Sequence, residues 1–262
     1  MRRVAVSCLL ALLLVWPAGF QAAPLTFRVL TYNIHHGEGM DGRFDLERVA
    51  SVMKSAQPDL IALQEVDVST ARAGGVNQLA ALARLMDMHA EFGRAMNYDG
   101  GGYGVAVLSR WPILAVENDP LPFAPEREPR TALTVQLRPG PDGPLVRFTS
   151  THFDQGREQE TRLEEATRLN ELLTREGPPA ILGGDLNARP GTGAITIIEE
   201  QWTNALAQDL EPTGRPGFIR GDYVLYRPTA CWRVIQGTVL DDRVASDHRP
   251  VLAVLEWTGL CQ

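Results

Sequence analysis

No apolar run in this 262-residue sequence is comfortably long enough to span a bilayer; the one of note, Val4 to Val15, is short of a spanning helix. Internal repeats, low-complexity tracts and dividing linkers are missing, which argues for one domain with one substantial core. Positive charge is in deficit. With 25 basic and 32 acidic residues the net charge is −7, a balance that gives no broad electrostatic attraction to nucleic acid. The run Gly100-Gly101-Gly102 is not followed by Lys-Ser/Thr or by a helix start, so it reads as a flexible turn rather than a phosphate loop. Cysteine is scarce, with three in all.

The N-terminus has the form of a secretory signal peptide: Arg2-Arg3, the apolar run, Trp16-Pro17, then small residues ending Gln21-Ala22-Ala23. Residues 1–23 are therefore expected to be removed, leaving 24–262 as the mature domain, secreted or periplasmic and without a stable membrane anchor. Phe20 or Gln21 stands where a small residue is preferred before the cleavage site, so an uncleaved anchor is the lesser alternative. Removing Arg2 and Arg3 but no acid leaves 23 basic against 32 acidic residues, a net charge of −9. Cys8 goes with the leader. Cys231 and Cys261 remain, and in an oxidising compartment they are able to pair if their Cα atoms come close enough.

Apolar periodicity places a first strand at Phe27 to Ile34 and a helix capped by Asp45, with Leu46, Val49, Ala50, Met53 and Ala56 on one face. A buried strand at Leu60 to Leu63 leads to Gln64-Glu65, and Val76 to Met86 reads as a second amphipathic helix. Strands follow at Gly104 to Ser109, Ile113 to Val116, Thr131 to Leu137 and Val146 to Thr151. A third helix is expected from about Arg157 to Thr174. The stretch Pro179 to Asn187 is a strand running into Gly183-Gly184, with Asp185 and Asn187 on alternate residues and so on one face of an extended chain. A short helix near Ala194 to Glu200 and strands at Tyr223 to Leu225, Val234 to Val239 and Val251 to Leu255 complete the chain. Hairpins mixed with helical crossovers favour an α/β architecture of two packed mixed β-sheets flanked by helices.

Polar residues recur where the apolar strands stop: Asn33 and His35, Glu65, His152, Asp185 and Asn187, Asp222, and Asp247-His248. One such ending is unremarkable; the set suggests strand ends sharing a single cleft. The segments Thr31-Tyr32-Asn33-Ile34, Asp59 to Glu65, Tyr103 to Arg110, Thr151-His152, Gly184 to Asn187, Gly221-Asp222-Tyr223 and Ser246 to Pro250 resemble the endonuclease/exonuclease/phosphatase superfamily, in that family's order. The resemblance implies a four-layer α/β sandwich and metal-dependent cleavage of phosphate esters, with Mg²⁺ as the ion and Mn²⁺ as its alternative. It implies Glu65 as principal metal ligand, with Asn33 and Asp247 contributing. Asp185 would orient or deprotonate the attacking water, and Asn187 would hold that water or a phosphoryl oxygen. His248, paired with Asp222, would stabilise the pentacovalent state or serve in proton transfer. His152 would hold a non-bridging oxygen or assist the leaving group, and Arg130 would clamp phosphate. The chemistry agrees: Mg²⁺ prefers hard oxygens, and in-line displacement needs positioning and charge neutralisation more than covalent steps.

Blander readings cover other polar groups. Asp185 and Asn187 would, without the other motifs, merely form an Asx turn. Adjacent histidines on a strand face opposite ways, so His35 and His36 are expected to make loop contacts rather than share a zinc ion. Glu158, Glu160, Glu164 and Glu165 are expected to form a solvated helix face with Arg162 and Arg168 as partners. Among substrates, a small phosphodiester or phospholipid head group ranks above nucleic acid, because the chain is acidic and has no evident insertion for gripping a duplex. A secreted endonuclease acting on DNA or RNA is the alternative, and a non-catalytic binding module that keeps the fold is an alternative of another class.

Overall fold

The computed structural model describes residues 24–174, 177–207, 211–214 and 220–261; the expected signal peptide lies outside them. The first half of the chain contributes β1 (Thr26–Asn33), α1 (Leu46–Ser55), β2 (Leu60–Val68), α2 (Gln78–Met86), β3 (His89–Tyr98) and β4 (Gly101–Ser109). The second supplies β5 (Ile113–Pro120), β6 (Thr131–Leu137), β7 (Val146–His152), α3 (Glu160–Leu173), β8 (Ala180–Asp185), α4 (Gly193–Glu199), β9 (Thr203–Asn204) and β10 (Asp222–Arg227). Finally β11 (Trp232–Val239) and β12 (Val251–Trp257) return to the first sheet.

The result is a four-layer α/β sandwich. One six-stranded sheet has the order β11-β12-β1-β2-β4-β3, the other β5-β6-β7-β8-β10-β9. Each is built on a parallel pair joined through a helix, β1-α1-β2 and β7-α3-β8, with antiparallel neighbours on both sides. Such strands are buried on both faces and so read as continuous apolar runs. Their alternation sorts the side chains. Phe27, Val29, Leu60, Ala62, Phe148, Ile181 and Val224 fill the space between the sheets. Leu30, Tyr32, Ile61 and Leu63 pack with residues of α1 and α2, while Leu182, Tyr223 and Leu225 pack with residues of α3 and α4.

Asp45 caps α1, its Oδ1 accepting from Arg48 N at 2.9 Å, as the sequence predicts. Strand β3 has no apolar alternation to reveal it: it is a partly exposed edge strand, paired among the described residues only with β4. The two are joined by Asp99-Gly100, both at positive φ (45° and 79°), so the glycine run opens with a two-residue hairpin turn of defined geometry instead of a flexible loop. On α3 the solvated acidic face needs correction. Glu165 is fully buried and accepts from Asp154 N, and Arg162 is buried against the Asp154 and Gly156 carbonyls; only Arg168 keeps a helical partner, Glu171 at 3.1 Å. Cys231 and Cys261 form a disulfide, Cα atoms 4.7 Å apart, tying the segment after β12 to the turn before β11. Among the described residues no helix is long and apolar enough to cross a membrane.

Candidate active site

Strand parity aims most of the site. Asn33 continues the inward series Phe27, Val29; His152 continues Val146, Phe148; Asp185 continues Ile181 through Gly183; and Asp222 begins the series Val224, Tyr226. Four polar side chains thus end up on the inner faces of the two sheets, at one end of the sandwich. The sheets come close there because Gly183 has no side chain: a Cβ on it would lie 2.7 Å from Ala62 Cβ and 3.2 Å from Thr31 Cβ.

Glu65 arrives differently. In an unbroken strand it would share the parity of Ile61 and Leu63 and point at the helices. The β2–β4 register shifts between Leu63 and Val66, Glu65 adopts φ +57°, and Val66 takes the helix-facing place. This bulge turns the carboxylate toward Asn33, whose Nδ2 donates to Glu65 Oε1 at 3.0 Å and across the sandwich to Asp185 Oδ2 at 3.2 Å. Burial acts to raise the Glu65 pKa, but its polar surroundings, the His36 ring first, outweigh it and hold the carboxyl well below the usual range.

Asp185 is almost wholly buried and sits opposite Asp222 in the β8–β10 ladder. Burial, then the Asp222 charge, push its pKa up to about 6. His248 closes over both acids, with Nδ1 2.9 Å from Asp222 Oδ2 and Nε2 3.6 Å from Asp185 Oδ2. Desolvation alone would lower the His248 pKa, but the two carboxylates raise it well above the ordinary imidazole value, so the ring is an imidazolium at neutral pH. The Asp222–His248 pairing expected from sequence is present. Asp247 is half-buried beside it, its Oδ1 3.4 Å from Ser246 Oγ.

His152 is the opposite case. Burial and the adjacent Arg130 guanidinium hold it neutral, and Arg130 Nη1 lies 3.3 Å from its Nδ1. Its Nε2 lies 3.5 Å from Asp185 Oδ2. Arg130 also pairs with Glu128 at 3.0 Å, while its buried Nε and Nη2 have no hydrogen-bond partner among the described residues. Asn187 does not lie on the strand with Asp185. β8 ends at Asp185, Asn187 turns to φ +46°, and its N–H donates to Asp185 Oδ1 at 3.0 Å as an Asx turn. That turn nevertheless keeps the carboxamide in the site, with Nδ2 3.1 Å from His152 Nε2 and donating to the Phe153 carbonyl at 3.0 Å.

Two positioning residues escape a reading by strand ends. Buried Thr213 Oγ1 accepts from Gly221 N at 3.0 Å and Asp222 N at 3.2 Å; a threonine in a loop carries no sequence signal for that task. Ser246 Oγ donates to the Asn33 carbonyl at 2.7 Å and accepts from His248 N at 3.2 Å, tying the end of β1 to the loop before β12. The expectation for His35 and His36 also changes. They lie in a 3₁₀ turn (His35–Gly37), not on a strand, and a ring nitrogen of each falls within 4.8 Å of the other and of a Glu65 oxygen.

A divalent cation suits this donor set. Glu65 is ionised, an Asn33 side chain orients it, and the buried His36 Nδ1 beside it has no hydrogen-bond partner among the described residues. The sequence model of the Endonuclease/Exonuclease/phosphatase family matches residues 30–248. "Uncharacterized protein YbhP" of Escherichia coli K12 is 28% identical over 177 residues, covering 64% of this chain and 69% of that protein. A crystal structure of an endonuclease/exonuclease/phosphatase from Beutenbergia cavernae superposes with a TM-score of 0.73 at 26% identity, over 90% of this chain and 72% of that one. The mannosyl-6-phosphatase Bt3783 of Bacteroides thetaiotaomicron gives a TM-score of 0.71 at 19% identity, over 87% and 99% of the two chains.

Proposed function

The chain belongs to the endonuclease/exonuclease/phosphatase family, and on that footing we propose that it is an exported, divalent-metal-dependent phosphodiesterase acting on a small phosphodiester or phospholipid head group. Members of the family are hydrolases of phosphate esters. The observation that carries the reading is the pairing of a poised base with a fixed acid: Asp185, at about 6, beside the Asp222-bound imidazolium of His248. Groups whose surroundings push their protonation apart are what acid–base chemistry at neutral pH requires.

Glu65, with Asn33 and Asp247, would hold the cation, which would supply charge neutralisation to the phosphoryl oxygens. Asp185 orients a water and accepts its proton, and its raised pKa makes it basic enough to do so yet ionised at pH 7. Asn187 and the His152 ring face the same space as that carboxylate and would meet the non-bridging oxygens. The charge on His248 offsets the negative charge that grows on the pentacovalent group, and Asp222 fixes its ring. Arg130 offers Nε and Nη2 as a phosphate clamp. The Cys231–Cys261 disulfide supports export, since disulfides persist in oxidising compartments.

The test is a panel of a sphingomyelin, phosphoinositides, an aryl phosphodiester and supercoiled plasmid, each with Mg²⁺ and with chelator. Chelator-sensitive turnover of the small diester or lipid is expected, falling at least about a hundredfold in Glu65→Gln and His248→Ala with unchanged circular dichroism. Full activity in both variants overturns the assignment, and plasmid nicking alone moves it to the endonuclease.

A further inference from the structure

The turn His35–Gly37 carries donors that the roles above leave unused. Its two imidazoles stand 4.4 Å apart, beside the Glu65 carboxylate. Hydrogen bonding fixes the tautomer of each ring when neutral. His35 Nδ1 is 3.0 Å from the Glu38 carbonyl, which only accepts, so Nδ1 bears the proton and Nε2 keeps a lone pair. In the neutral ring, His36 Nε2 donates to Glu38 Oε2 at 3.3 Å, which leaves the lone pair on Nδ1. That Nδ1 is buried, lacks a hydrogen-bond partner among the described residues, and lies 3.8 Å from Glu65 Oε2.

A buried lone pair facing an ionised oxygen is unfavourable unless something positive lies between them. An imidazole whose far N–H is held by a carbonyl or carboxylate is the arrangement that orients metal-bound histidine. The 3.8 Å gap is close to the ~3.4 Å edge between two ligands on a tetrahedral ion with ~2.1 Å bonds. The turn is also anchored: buried Gln78 donates through Nε2 to the His36 carbonyl, while its Oε1 accepts from Asp67 N at 2.9 Å.

We propose that His36 Nδ1 and His35 Nε2 join Glu65 in holding the divalent ion, and that these nitrogens make the site select a first-row transition ion, of the Mn²⁺ to Zn²⁺ series, over Mg²⁺. The proposal rests on the reading of Glu65 as the cation-binding carboxylate. Imidazole strengthens binding along that series, whereas Mg²⁺ prefers oxygen and gains little from it. The competing account is an imidazolium at His36, bridging Glu38 and Glu65 by charge alone.

Metal-stripped full chain is titrated with Zn²⁺, Co²⁺ and Mg²⁺ by calorimetry, with the visible absorption and proton NMR of the Co²⁺ form recorded in parallel. Zn²⁺ is expected to bind at least about a hundredfold more tightly than Mg²⁺. His36→Gln should weaken Zn²⁺ and Co²⁺ by about tenfold or more and alter the Co²⁺ absorption, with Mg²⁺ weakened by less, and an unchanged circular dichroism spectrum shows that the variant folds. His35→Gln should act in the same direction. The Co²⁺ form should show two exchangeable, strongly shifted imidazole N–H signals, one lost in each variant. Unchanged Zn²⁺ and Co²⁺ binding in both variants overturns the histidine site. Loss of Mg²⁺ binding in Glu65→Gln then shows that the Glu65 reading survives without it, whereas a Glu65→Gln protein that keeps every ion removes both.

Discussion

Asp185 and Asp222 face each other as a register pair of the β8–β10 ladder, and a single imidazole ring, that of His248, neutralises them together. Two buried acids this close do not ionise independently. The Asp222 charge raises the pKa of Asp185 and also that of His248. One residue thus sets both limits of the catalytic pH range.

The pH profile follows from the signs. Activity should rise with pH through about 6 as Asp185 loses its proton, and fall at alkaline pH as His248 loses its own. Asp222→Asn removes a charge that raises both pKa values, so both limbs should move to lower pH while kcat drops about a hundredfold. Steady-state kcat/KM against pH checks this, and limbs that stay where they are would refute the assignment.

Glu165 gives a stability prediction of definite sign. Burial, first of all, pushes its pKa up to about 8 from an ordinary 4.5. Its contribution is therefore fully present below the unfolded value and is lost as pH rises through the folded one. Melting temperature should decline between those limits, and Glu165→Gln, which still accepts from Asp154 N, should flatten the decline. Equal slopes in the two proteins would count against a neutral Glu165.

Gly183→Ala places a Cβ 2.7 Å from that of Ala62. Overpacking of this kind costs about 1–3 kcal/mol. Since Asn33 and Asp185 reach each other from opposite sheets, kcat should fall as well; urea unfolding and turnover on the same preparation test both, and a variant with wild-type values in each would show that the sheets yield freely.

Ser246→Ala removes a hydroxyl that serves both the Asn33 carbonyl and His248 N. A loss of about 1 kcal/mol in stability is expected, with kcat reduced more than KM is raised, because the hydroxyl holds the imidazole without meeting the substrate. A pure KM effect would contradict that role.

Reduction of Cys231–Cys261 opens a closure of 30 residues, for which chain entropy suggests a loss of about 3–4 kcal/mol. Thermal melts with and without reductant, beside Cys261→Ser, measure it; identical midpoints would show that the C-terminal segment is held by its packing alone.

Strands buried on both faces wrote themselves plainly into the sequence, because alternation and apolar runs are local, and the polar residues that end them marked Asn33, His152, Asp185, Asp222 and His248. What stayed hidden depends on backbone departures or distant partners. The bulge that turns Glu65 inward follows an ordinary apolar strand, and positive φ at His35 and His36 puts on one side two rings that strand logic places on opposite sides. Glu165 looks like any exposed helical acid until the Asp154 amide is seen against it. Edge strand β3 needs only one partner and so shows little pattern.

The Asn33 carboxamide donates to Glu65 within its own sheet and to Asp185 in the other. Neither half of the chain holds a working set of groups, so the enzyme acts as a caliper on the spacing between its two layers. A swollen or slipped interior, even at the far end of the strands around Leu137 and Val146, would silence turnover before it unfolded the protein, and activity would serve as the more sensitive gauge of how well the layers are seated.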